Sequence, residues 1–289
     1  MSGNRPAVEP ATLYVVATPL GNLEDITLRA LRTLRAVDII VAEDTRTTAK
    51  LLSYYKIKGP KLISLHEHNE KQRARGLVDS LRRGAAVALV SEAGTPAISD
   101  PGAYLIAEIH RAGLKVRPVP GPSAVITALS CAGFDIGEGF FFVGFLPSKA
   151  SLRIKRLEEL RFIKVPLVFY EAPHRLLATL VDLLEMFGDR EVFMAREMTK
   201  KHEQYLRTTI KELYYHFQQK EPRGEFTLVV AGASACESIP SEEDIAAFLK
   251  EARAQGLSIK DAAKEAAKFF GLPRTQLYKK ALELFKKDD

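Results

Sequence analysis

From Leu13 to about Ala231, apolar runs of strand length alternate with amphipathic runs of helical length. The runs with strand character are 13–17, 37–42, 61–65, 86–90, 115–119, 140–145, 165–170, 191–195 and 225–231, each of strand length between turn or helical segments. Helical periodicity fills the gaps. In 25–34, for example, Asp25 is placed to cap the first turn, and Leu28, Leu31 and Leu34 fall on one face. This alternation predicts an α/β fold with mostly parallel or mixed sheets. Gly121-Pro122-Ser123 breaks the pattern near the middle and predicts a hinge between an N-terminal lobe, 11–120, and a C-terminal lobe, 121–236, with a cleft between them. Residues 1–10 read as a flexible tail.

After Gly232 the pattern changes. Ser238-Ile239-Pro240 reads as a linker, and the segment 237–289 has helical period without strand signals. A helical run from Ser258 to Phe270 stops at Gly271, and another starts near Pro273. The spacing predicts a small all-helical appendage resembling a helix-turn-helix, although a plain helical hairpin fits the same pattern equally well.

A chain of 289 residues with 46% hydrophobic and 27% charged residues belongs to the globular class and is long enough for about two domains. No apolar run approaches the roughly 20 residues that a membrane span needs, and the N-terminus lacks the apolar segment of a signal peptide. A cytoplasmic protein without membrane contact is expected. Cys131 and Cys236 stand apart from each other and from His partners, so both read as reduced structural thiols. His66-Glu67-His68 offers two ligands without a third, and no metal site is predicted. The 42 Lys and Arg exceed the 36 Asp and Glu, for a net charge of +6. They crowd into 149–164 (Lys149, Arg153, Lys155, Arg156, Arg161, Lys164) and 196–207 (Arg196, Lys200, Lys201, Arg207), which favours contact with a phosphate backbone.

The chemistry concentrates in the loops that follow predicted strands. Ser91-Glu92-Ala93-Gly94-Thr95-Pro96-Ala97-Ile98-Ser99-Asp100-Pro101-Gly102 follows the run 86–90. So many glycines, prolines and small hydroxyls specify a backbone path, and beyond the carboxyl end of a buried strand such a path reads as a ligand cradle. Thr18-Pro19-Leu20-Gly21-Asn22 after the first strand and Pro120-Gly121-Pro122-Ser123-Ala124 after the fifth have the same character. No glycine-rich dinucleotide fingerprint and no P-loop are present, so the usual nucleotide-binding solutions are not supported.

These segments, with Ala42-Glu43-Asp44-Thr45-Arg46, Tyr170-Glu171-Ala172-Pro173-His174-Arg175, 195–203 and 224–229, resemble the tetrapyrrole-methylase superfamily and, within it, the RsmI family of ribosomal RNA small-subunit methyltransferases. The resemblance covers nearly the whole chain. Glu92 stands where that family more often has Asp, and Met198 where it has Leu; both keep the chemical type. The resemblance implies a two-lobed class III methyltransferase fold with a helical C-terminal appendage. It also implies S-adenosylmethionine as methyl donor, the 2′-hydroxyl of a cytidine in the decoding region of 16S rRNA as acceptor, and a homodimer. By motif position, the donor contacts are Pro19, Leu20, Gly94, Thr95, Pro96, Ser99, Pro122, Ser123, Ala124, Tyr170, Glu171, Ala172, Gly224 and Glu225.

Asp44, Glu171 and Glu43 are the carboxylates available as a base toward the ribose hydroxyl, and Arg46, Arg175, Arg196 and Lys200 the cations available to RNA phosphates. Each carboxylate has an alternative use as a helix cap or ion-pair partner, and Asp44, ahead of a helical run, is an obvious cap. Two rival functions use the same scaffold: carbon methylation of a tetrapyrrole, and a non-catalytic RNA-binding assembly factor. The basic clusters and helical tail speak against the tetrapyrrole, which needs neither.

Overall fold

The computed structural model describes residues 8–234, 242–270 and 272–285. The first lobe is built from β1 (Thr12–Val16), α1 (Leu28–Ala36), β2 (Ile39–Ala42), α2 (Thr45–Tyr54), β3 (Lys61–Ser64), α3 (Glu70–Arg82), β4 (Ala86–Val90), α4 (Ala103–Arg111) and β5 (Lys115–Val119). Its five strands form a parallel sheet in the order β3-β2-β4-β1-β5. Helices cover both faces. Tyr14, Val16, Ile40 and Ala88 pack on one side with Ala30 and Leu34 of α1; Leu13, Val41, Val87 and Leu89 pack on the other with Leu77 and Leu81 of α3 and Leu105 and Ile109 of α4. A strand buried on both faces has no polar alternation, which is why β4 reads as the continuous run Ala-Val-Ala-Leu-Val.

The chain crosses to the second lobe between Val119 and Ala124. There α5 (Ala124–Ala132), β6 (Phe141–Phe145), α6 (Ala150–Leu160), β7 (Leu167–Glu171), α7 (Leu176–Phe187), β8 (Glu191–Arg196), β9 (Gln204–Thr209), α8 (Ile210–Gln219) and β10 (Phe226–Val230) follow. The sheet order is β6-β7-β10-β8-β9; β6 and β7 are parallel and the remaining pairs antiparallel. Helix α5 packs Val125, Ala128 and Leu129 against Val168, Phe193 and Val229 of this sheet.

Two local expectations are corrected. Asp25 does not cap α1: the chain makes a short 3-10 turn at Leu23–Asp25 behind Asn22, and α1 starts behind Thr27, whose hydroxyl accepts from Ala30 N at 3.0 Å. Leu28 is thereby turned to solvent, 78% exposed, while Leu34 is buried. Strand β9 carries no strand signal in the sequence reading, because Gln204, Leu206, Thr208 and Thr209 are only half-buried and Tyr205 and Arg207 exposed, as suits a sheet edge.

The appendage contains three helices, α9 (Glu242–Ala254), α10 (Ile259–Phe270) and α11 (Arg274–Phe285). They share a core of their own formed by Ile245, Leu249, Ala262, Ala266, Leu277 and Ala281. Gly271, Cys236, the linker Ser238-Ile239-Pro240 and the first seven residues lie outside the described residues. Cys131 is exposed, its thiol donating to Thr127 O at 3.3 Å. Among the described residues no helix is long and apolar enough to cross a membrane.

Candidate active site

The loops after β1, β4 and β5 are tied to one another. Thr18 N donates to Gly94 O at 2.8 Å and Gly94 N to Thr18 O at 3.0 Å. Thr18 Oγ1 donates to Ser91 O at 3.2 Å, and Thr95 Oγ1 to Pro122 O at 2.9 Å. Four residues of the β4 loop have positive φ: Gly94 at 79°, Ala97 at 65°, Ser99 at 65° and Gly102 at 131°. Side-chain-bearing residues rarely adopt such angles, so Ala97 and Ser99 hold a conformation that the surrounding ties maintain. A Cβ on Gly102 would lie 2.6 Å from Leu89 Cδ2, which shows how closely the loop folds back on its own strand.

Between this cradle and the second sheet opens a cleft of about 400 Å³. Ten of the predicted donor contacts line it: Leu20, Gly94, Thr95, Ser99, Ser123, Ala124, Tyr170, Glu171, Ala172 and Glu225. Four do not. Pro19 lines a neighbouring cavity, and Pro96 is buried behind the cradle. Pro122 turns its carbonyl to Thr95, and Gly224, at φ 81°, lets the chain pass the Glu197 side chain, with which a Cβ would collide. The lobes touch beside the cleft. Asn22 N donates to Thr199 Oγ1 at 3.0 Å, and a Cβ on Gly144 would sit 3.1 Å from Ser99 Oγ. Tyr170 is held edge-on by Phe142 and Phe145, at ring distances of 5.1 and 5.5 Å.

The predicted carboxylates separate by environment. Asp44 is the N-cap of α2, accepting from Arg46 N at 2.7 Å and pairing with the Arg46 guanidinium; those bonds hold its carboxyl at about 2. A carboxylate that binds protons so weakly is a poor base at neutral pH. Glu171 is buried, accepts from Ala172 N at 2.8 Å and from Thr179 Oγ1 at 2.5 Å, and lies 3.4 Å from Arg175 Nε. Its oxygens are occupied inside the lobe. Glu43 lines the cleft, and burial, then the charges of Glu92 and Glu67, push its carboxyl up.

Sequence reasoning did not select Asp100, although it stands in the cradle motif. It lines the cleft, and burial followed by the charges of Glu43 and Glu92 raises its carboxyl to about 6, against a hydrogen bond from Ser91. Tyr170 is pushed up to about 12 by burial and then by Asp100. Ile98, Phe145, Met198, Phe226 and Thr227 also line the cleft; all but Phe145 stand inside the motif segments without having been selected as contacts.

The predicted cations are mostly engaged. Arg175 Nη2 donates to Leu146 O at 2.5 Å and Pro147 O at 3.3 Å, so its guanidinium braces the β6–α6 loop and is not presented to a phosphate. Arg196 Nε donates to Arg223 O at 2.5 Å. Lys200 Nζ lies 2.9 Å from both Glu197 and Glu225. Arg46 is 86% exposed although it pairs with Asp44. In the other basic cluster, Arg153 is buried against Asp182, which removes it from any phosphate-facing set. His66 Nε2 sits 2.9 Å from Asn69 Nδ2, and no group of three or more His, Cys, Asp or Glu among the described residues is arranged to hold a metal ion.

A parallel lobe and a mixed lobe facing each other across a loop-built cleft define a methylase of the tetrapyrrole class. Residues 12–214 match the family of Tetrapyrrole (Corrin/Porphyrin) Methylases, and the fold is shared with a uroporphyrin-III C-methyltransferase of Thermus thermophilus complexed with S-adenosyl homocysteine. That likeness has a TM-score of 0.56 at 18% identity, over 76% of this chain and 97% of the other. The sequence is far closer to another branch. Ribosomal RNA small subunit methyltransferase I of Synechocystis sp. is 46% identical over 94% of this chain and 98% of its own length; that of Thermotoga maritima is 51% identical over 76% and 98%. Residues 239–285 match the RsmI C-terminal HTH domain. The chain belongs to the RsmI family of ribosomal RNA small subunit methyltransferases.

Proposed function

We propose that this enzyme transfers the methyl group of S-adenosylmethionine to the 2′-hydroxyl of a cytidine in the decoding region of 16S rRNA. The observation that supports the reading best is the interlobe cleft joined to a chain that is 46% identical to a small-subunit methyltransferase over nearly its whole length. The residues fit the donor. Carboxylates and main-chain oxygens suit a sulfonium cation, and Ile98, Ala124 and Met198 offer apolar faces to an adenine. Gly94 at φ 79° keeps the cradle backbone open to a ligand, where a Cβ would instead press on Leu20 Cδ2 at 3.2 Å.

Leu20, Gly94, Thr95 and Ser99, with Ser123 and Ala124 at the crossover and Tyr170 and Ala172 opposite, hold the donor in this reading. Bound there, S-adenosylmethionine supplies an electrophilic methyl group. The chain aligns the ribose oxygen, excludes water and takes up the hydroxyl proton. Asp100 is the carboxylate suited to that last task, its proton affinity sustained by burial and then by the charges of Glu43 and Glu92. Arg46, exposed at the N-terminus of α2, and the helical appendage serve RNA contact. The family reading adds a homodimer, to which the exposed Ile126 and Leu152 offer apolar surface, and a cytoplasmic location beside the ribosome.

The test offers labelled S-adenosylmethionine with undermodified small subunits, naked rRNA or uroporphyrinogen. Label at a cytidine 2′-oxygen supports the proposal. Label in uroporphyrinogen alone, or no donor uptake by calorimetry, overturns it.

A further inference from the structure

A second cavity, of about 420 Å³, opens next to the cleft at the carboxyl ends of β1, β2 and β4. It shares two residues with the cleft, Leu20 and Glu92, so the two spaces adjoin there. Its outer rim is the exposed side of α2. There Lys50 and Tyr54 stand four residues apart and share a helix face. Tyr54 is 62% exposed and stands at the mouth of the cavity. Its neighbour Tyr55 meets it edge-on at 4.9 Å and is itself fixed by donating its hydroxyl to Leu23 O. Arg175, Arg196 and Lys200 are engaged by protein partners, whereas Lys50 is an exposed residue of this rim.

We infer that this cavity receives the splayed-out target nucleotide of single-stranded RNA, with the Tyr54 ring as stacking platform for the base and Lys50 as contact for a flanking phosphate. The inference rests on the proposed methyl transfer and adds the acceptor's binding site to it. Single-stranded RNA is recognised by stacking unstacked bases on aromatic rings beside cationic side chains. A nucleotide seated there extends its ribose past the shared edge at Leu20 and Glu92 into the cleft, where the donor and Asp100 lie. The Glu92 carboxylate at that edge can accept a hydrogen bond from the base amino group or a ribose hydroxyl.

The test measures binding of a short single-stranded, cytidine-containing oligoribonucleotide and kcat/KM for methylation of small subunits, with donor affinity measured by calorimetry in parallel. Tyr54→Ala is expected to weaken oligonucleotide binding and lower kcat/KM by on the order of 10-fold to 100-fold, with Tyr54→Phe losing less. Lys50→Ala is expected to reduce the slope of log K against log salt by about 0.7. Donor affinity stays at the wild-type value in each, and Tyr215→Ala, on the exposed surface of α8, changes none of these quantities. Wild-type RNA affinity and kcat/KM in Tyr54→Ala overturn the inference, as does a parallel loss of donor affinity, which would assign the cavity to the donor. Absence of methyl transfer by the wild-type enzyme overturns the function itself, and the oligonucleotide binding then still decides the cavity.

Discussion

The Thr179 hydroxyl, one turn into α7, donates to Glu171 Oε2 at 2.5 Å where both side chains are buried. Glu171 ends β7 at the edge of the cleft, in the place where a catalytic carboxylate is expected. The bond from Thr179, with that from Ala172 N, turns the group into a brace between strand and helix. Glu171→Ala is therefore expected to cost about 2 kcal/mol by leaving buried partners unsatisfied. Urea unfolding alongside a pH–rate profile checks this: the profile keeps its shape, and an altered acid limb at undiminished stability would return Glu171 to proton transfer.

Asp100 carries the opposite expectation. Its carboxyl is raised from 3.8 to about 6 by burial and by Glu43 and Glu92, so the folded state holds the proton more tightly than the unfolded chain. The resulting stabilisation is complete below about pH 4 and is lost as pH rises through about 6. Asp100→Asn abolishes that loss, so its melting temperature should exceed wild type near pH 8 and match it near pH 4. Methyl transfer by wild type should rise across about pH 6, and in the variant it should be slow and flat there. A wild-type rate indifferent to pH in this range counts against Asp100 as the base.

Arg175 reads from the sequence as a phosphate contact, but its guanidinium serves the carbonyls of Leu146 and Pro147. Arg175→Ala should destabilise the protein by about 2 kcal/mol and leave the salt dependence of RNA binding unchanged. Thermal melts and a salt titration of RNA affinity separate the roles; a shallower salt slope would restore the phosphate contact.

Gly102 closes the cradle at φ 131° with Leu89 against it. An added methyl group demands both an unfavourable backbone angle and a shift of the strand behind. Gly102→Ala should lower the melting temperature by several degrees and donor affinity by roughly 10-fold. Calorimetry showing wild-type donor affinity would mean that the loop tolerates movement without loss of the site.

The strands were legible because their signal is local. The run 86–90 became β4 as Ala86–Val90, since a strand buried on both faces is apolar throughout, whereas 115–119 became the edge strand β5, Lys115–Val119, whose signal was Val116 and Val119 ahead of a proline- and glycine-rich turn. Strand β7 starts at Leu167 and not at 165, since Pro166 has no N–H for a ladder. Strand β9 escaped because an edge strand keeps polar residues facing water. The cradle was legible for the same local reason: glycine, proline and small hydroxyls announce an irregular backbone wherever they gather.

The chain's sequence by itself thus determined the alternating fold, the loops that build the site and the family. Only the tertiary structure decided which charged side chains remain available within that site. Asp44 and Arg46 neutralise each other within one helix turn, yet Arg175 meets carbonyls twenty-nine and twenty-eight residues away, and Asp100 owes its proton affinity to burial first and then to Glu43 on a different strand end. Backbone preference is written in neighbouring residues, whereas the free energy of a charge depends on burial and on whatever lies within a few ångströms through space.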